Sequence, residues 1–155
     1  MQPGTDVNAS DRVFATAISQ GGMAEVKLGE LAGKSARSDA VKQFAKRMVS
    51  DHSKANEKFA EIAKKEGLKL PKDIDPEHKA ISMNLDKLEG RKFDLQYMAA
   101  QVSDHQKTAQ LLEYEIGSGQ NAAIKDFASD TLPTVLSHLK MAQDVMVKLT
   151  GEASR

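Results

Sequence analysis

Four long stretches of this chain set apolar residues at alternating steps of three and four. That spacing permits little except amphipathic helices packed side by side. The first stripe is Phe14, Ile18, Gly21, Glu25, Leu28 and Ala32. The second is Val41, Ala45, Met48, His52, Ala55, Phe59 and Ile62. The third runs Leu95, Met98, Val102, His105, Ala109, Leu112, Ile116, and the fourth Ile124, Ala128, Thr131, Val135, His138, Ala142, Val145, Leu149. No segment alternates apolar and polar residues in the manner of a strand.

The breaks between stripes set the connections. Ser10 in "NASDR" is an expected N-cap for a first helix over residues 11–35, and Ser38 caps a second that runs to Glu66. "EGLKLPKDIDPEH" holds Pro71 and Pro76 and reads as the longest connection, with Asp75 and Pro76 opening a short helix that ends near Leu88. Gly90 precedes a third long helix from Arg91 to Ile116, and "GSGQN" turns the chain into a fourth, Ala122 to Leu149, which Pro133 is expected to kink or split. Residues 1–10 are expected to be a disordered segment, 11–150 one domain, and 151–155 a frayed tail. Helices of about 25 residues are nearly 40 Å long. Two short turns and one long connection imply an all-α, four-helix bundle of the ferritin-like kind, with an up-down-up-down bundle as the alternative.

Each stripe is interrupted near its middle by one residue able to coordinate a metal: Glu25, His52, His105 and His138. Counted from the two turns, their heights differ by about 4 to 8 Å, within reach of long side chains. An ionised carboxylate in an apolar seam is expensive unless it is paired or bound to a cation. A metal held by one Glu and three His accounts for all four; a buried hydrogen-bond network is the plainer alternative. Asp51 and Asp104 precede two of the imidazoles in a repeated V-S-D-H word, and Asp94 and Tyr97 lie on the Asp104 side of the third long helix. These four are candidates to orient the ligands from outside. His78 falls in the long connection and is expected to be exposed, and the methionines read as core filling.

Composition excludes several classes. Lys plus Arg and Asp plus Glu are 22 each, which gives no excess of basic charge for nucleic acid. There is no cysteine for thiolate sites, and no apolar run long enough to span a bilayer. "MQPGTDVNAS" lacks the basic start and apolar stretch of a signal peptide, so export stays open. No phosphate-binding loop, nucleophile elbow or His-Glu-x-x-His motif is present.

"FAKRMVSDH", "EGRKFDLQYMAAQVSDH" and "LPTVLSHL", in that order and spacing, resemble the bacterial family called domain of unknown function 4142, over about Asp11 to Leu149. The resemblance implies a ferritin-like bundle, often exported to the periplasm or envelope, with no settled activity. It draws attention to Glu25, His52, Asp94, Tyr97, Asp104, His105 and His138. Di-iron bundles carry a Glu three residues before each of two His. Here Val49 and Val135 stand at those places. One Glu and three His suit a single ion, with Zn favoured and Fe or Cu as alternatives. The expectation is therefore a metal-binding bundle of the periplasm, a cytoplasmic site being the alternative, with no transmembrane segment and no assigned catalysis. The rival readings are a stress-protective interaction bundle with a buried His–Glu network and, less favoured, a di-iron oxidoreductase.

Overall fold

The computed structural model describes residues 6–152. Five helices follow in order: α1 (Ala9–Ser35), α2 (Asp39–Lys65), α3 (Pro76–Asp86), α4 (Gly90–Ser118) and α5 (Ala122–Glu152). The start of α1 lies inside the segment expected to be disordered. Asn8, not Ser10, is its cap: the Asn8 side chain accepts from the Asp11 N–H at 2.8 Å, and the Asp11 carboxylate accepts from the Asn8 N–H at 2.8 Å. This reciprocal pair satisfies two donors at once, which a lone serine cannot do. Ser10 lies inside the first turn, with its hydroxyl 3.1 Å from that of Tyr114. Residues 1–5 and 153–155 of the two expected loose ends lie outside the described residues; α5 itself runs on to Glu152.

Ser38 also does not act as expected. It stands before α2, but its side chain makes no capping bond. Asp94 of α4 holds the turn ahead of the helix, accepting from the N–H groups of Arg37 and Ser38 at 3.0 and 2.8 Å. Pro133 neither splits nor ends α5. Pro133 and Ser129, whose carbonyl loses its helical donor, are both exposed, so water can take the place of the missing bond.

Contacts at the helix ends settle the topology. At one end the Asn8 side-chain amide donates to the Ser118 carbonyl, and Asp11 accepts from the N–H groups of Gln120 and Asn121. At the other, Asp94 holds the turn between α1 and α2. So α1 and α4 run antiparallel. Asn121, which opens α5, donates to Glu66 at the close of α2 at 2.7 Å, so α2 and α5 are antiparallel as well. The chain thus leaves α2 at the end where α4 finishes, and must travel the length of the bundle before α4 begins. The ferritin-like crossover holds, and the up-down-up-down alternative does not. Gly67 at φ 70° and Gly90 at φ 62° turn the backbone at the two ends of this connection, and α3 lies along α1 and α4.

The core comes in two parts. One gathers Leu28, Phe44, Met48, Phe93, Tyr97 and Met98; the other gathers Phe14, Phe59, Leu112, Ile124 and Phe127. A layer of polar side chains separates them.

Candidate metal centre

That layer holds Glu25 of α1, His52 of α2, Gln101 and His105 of α4, and His138 of α5. The three imidazoles form a near-equilateral triangle. Ring centres are 5.7 Å apart for His52 and His105, 5.4 Å for His52 and His138, and 5.5 Å for His105 and His138. Each ring offers one nitrogen, and these three atoms lie within 4.8 Å of one another. Tetrahedral zinc, with bonds of about 2.0–2.1 Å, spaces its nitrogens about 3.4 Å apart, so small side-chain rotations close the set.

The neighbours of the rings decide which nitrogen is free. His105 Nδ1 is 2.8 Å from the Gln101 carbonyl. A carbonyl only accepts, so Nδ1 carries the proton and Nε2 keeps its lone pair. His138 Nε2 donates to Asp51 at 2.8 Å, which leaves Nδ1 bare, and Arg47 in turn donates to the same carboxylate oxygen at 2.7 Å. An imidazole whose far nitrogen is held by a carboxylate or carbonyl is the usual state of a metal ligand. Burial pushes His52 down to about 3, helped by the other two imidazoles. It pushes His105 down to about 4 and His138 downward too, against the opposing pull of the Gln101 carbonyl and Asp51. All three are neutral near pH 7, as coordination requires.

Among the described residues, eight buried side-chain polar atoms find no partner. Six belong to this one layer or its edge: Glu25 Oε2, His52 Nε2, Tyr97 OH, Gln101 Oε1, His105 Nε2 and His138 Nδ1. The other two are the oxygens of Glu115, which find a partner once Glu115 is protonated: burial and a hydrogen bond to the Asp11 carboxylate push it up to about 8. Such atoms are rare in folded proteins, and a cluster of them calls for an occupant. The donor set fits a single borderline-soft ion; it lacks the bridging carboxylates of a di-iron pair.

The placement departs from the sequence expectation in several respects. Glu25 is not one of the three converging ligands. It is buried, and its Oε1 accepts from Gln101 Nε2 at 3.4 Å. Burial and the charge of Asp104 push it up to about 8. Asp51 does orient an imidazole on a facing helix. Asp104 does not; it pairs with His78 Nε2 at 3.1 Å. Asp94 lies away from the layer, on the turn between α1 and α2. Tyr97 is buried, its hydroxyl unpartnered and its pKa raised by burial and by Glu25. His78 is not exposed. It bridges Asp75 at 2.6 Å and Asp104 at 3.1 Å, and is pushed up to about 9, first by the bond to Asp104 and then, against burial, by that to Asp75. Gln101 was not anticipated, although Asp94, Tyr97, Gln101 and Asp104 follow three-four spacing and so share one face of α4, turned toward α1.

Comparison with solved structures shows the same fold at low identity. A DUF305 fragment from Deinococcus radiodurans is 13% identical with a TM-score of 0.81, over 92% of this chain and 98% of that one. A putative secreted DUF305 protein from Streptomyces coelicolor is 14% identical with a TM-score of 0.77, over 91% and 92%. No curated protein matches. Among the described residues no helix is long and apolar enough to cross a membrane. With residues 1–145 matching its profile, the chain belongs to the family described as Domain of unknown function (DUF4142).

Proposed function

We propose that this chain is a small metal-binding bundle of the bacterial envelope, holding one transition-metal ion on His52, His105 and His138. Zinc is favoured, with iron and copper as alternatives. One observation carries the reading: three neutral imidazoles from three helices, His105 and His138 buried and His52 nearly so, bring unpartnered nitrogens within 4.8 Å of one another. Glu25 stands outside that set, so the ion keeps a fourth position that protein does not fill. Zinc so held supplies Lewis acidity at the free position. The chain's own part is to keep the rings neutral, to fix them through Asp51 and the Gln101 carbonyl, and to shield them between two apolar half-cores. Placement in the envelope draws support from the structural neighbour described as a putative secreted protein.

A second reading has its own support: Asp51–His138, which an exposed Arg47 joins from the surface, and the half-buried Asp75–His78–Asp104 tie helices together without an ion. The test is to strip the protein with chelator, offer Zn, Fe, Mn, Cu and Ni together, dialyse, and measure bound metal and melting temperature. The proposal expects close to one equivalent of a single metal. It also expects a rise in Tm equivalent to about 2.7 kcal/mol at a hundredfold excess over Kd, and loss of both in His105→Ala. Background metal, with His105→Ala destabilising equally with and without ions, would leave the network reading.

A further inference from the structure

Next to the imidazole layer, a cavity of about 320 Å³ opens among α1, α2, α4 and α5, bordered by Leu70 and Pro71 of the crossover. Its volume falls at the small end of ligand sites, about 300–1,000 Å³. The walls are mainly apolar, with Ile18, Ala55, Phe59, Leu111, Phe127 and Val135. Gly21 stands on the α1 side, and a Cβ built there would meet nothing within 4 Å. Glycine is a poor helix former compared with alanine. No close approach of a neighbouring chain requires it at this point, so what it contributes is room.

Six polar side chains interrupt this wall, Ser19, Glu25, His52, Asn56, Thr108 and Thr131, and of these Glu25 and His52 lie against the imidazole layer. Both carry a buried atom without a partner, Glu25 Oε2 and His52 Nε2, and Glu25 as a whole is 5% exposed. A cavity with mainly apolar walls, and with unpartnered polar atoms of two lining side chains buried just behind them, suits an amphipathic occupant. A cavity at the small end of ligand sites suits a small amphiphile, for which an eight-carbon acid is a convenient probe. A carboxyl group suits the head. Two carboxyl groups pair through one shared proton whichever of them holds it, and the second oxygen remains for the imidazole side.

We infer that the cavity binds a medium-chain monocarboxylic acid, its tail among the apolar side chains and one oxygen paired with Glu25 Oε2. The other oxygen turns toward His52 or the ion held there, and in that last respect the inference rests on the metal reading. Sodium octanoate titrated into the full chain by calorimetry tests it, on zinc-loaded and on chelator-treated protein, with zinc content measured on the same samples. Saturable one-to-one binding is expected, weakened at least tenfold by Gly21→Phe. Methyl NMR on the wild-type protein needs no variant to fold, and octanoate should shift Ile18, Leu111 and Val135. No saturable binding in either form, Gly21→Phe affinity within threefold of wild type, or shifts confined to methyls outside the cavity lining would each overturn the inference. Zinc uptake without octanoate binding sinks this inference alone; octanoate binding without zinc uptake upholds it and sinks the metal reading.

Discussion

Replacing Glu25 by Gln should stabilise the metal-free protein at neutral pH and leave it unchanged in acid. The unfolded-state value for this carboxyl is 4.5, and burial beside Asp104 raises the folded value to about 8. Between those limits the folded chain keeps a proton that the unfolded chain has released. Wild-type stability therefore falls as pH rises through that window, by about 1.4 kcal/mol per unit. From pH 4.5 to 7 the loss is about 3 kcal/mol. Glutamine has the same shape, accepts the same bond from Gln101 and has nothing to ionise. In a chain of this length such a gain raises Tm by roughly 6–12 °C. Urea unfolding of both proteins at pH 4, 5, 6 and 7, with chelator present, gives the difference directly. The gap should be near zero at pH 4 and widen with each step. A gap that does not change with pH, or a less stable variant at pH 7, would show that the buried carboxyl has found a partner for its charge.

Three further outcomes follow from the same structure. The metal-free wild type should also weaken below pH 6.5, because His52 and His105 take up protons in the unfolded state long before their folded values of about 3 and 4; substituting both by Gln should flatten that acid limb in urea titrations. His78 has the opposite sign: its folded value of about 9 makes its contribution complete below pH 6.5 and lost as pH rises through 9. His78→Gln should accordingly speed hydrogen exchange in α3 at pH 6 and make little difference at pH 10. At Gly29 an added Cβ would lie 2.8 Å from Val49 Cγ2 and 3.1 Å from the Ala45 carbonyl, whereas at Gly33 it would meet nothing. Thermal melts should show Gly29→Ala destabilised by about 1–3 kcal/mol and Gly33→Ala stabilised by up to about 1 kcal/mol.

What could be read in advance was whatever depends on local spacing. The long helices, the crossover connection and the three imidazoles follow from three-four periodicity and from glycine and proline placement, because a seam position on a helix points inward whatever it packs against. Other features depend on partners distant in sequence. Ser38 has the right residue type for a cap, yet its side chain makes no capping bond, and its N–H is held by Asp94, 56 residues away. His78 reads as a connector residue until the crossover lays α3 along α4 and brings Asp104 to it. Glu25 occupies the expected layer, but Gln101, on a face the third stripe did not include, holds it outside the trio.

The imidazoles come from both helical hairpins: His52 from the α1–α2 pair, His105 and His138 from the α4–α5 pair. Each hairpin forms through a short turn and near-neighbour contacts, while the two meet only after the crossover has been threaded along their length. Assembly of the triangle thus belongs to the late, long-range step of folding. An ion held there has nothing to grip in the separate hairpins. It would leave the folding rate almost untouched and act as a brake on unfolding, so that its worth to the cell would be measured in the lifetime of the folded chain.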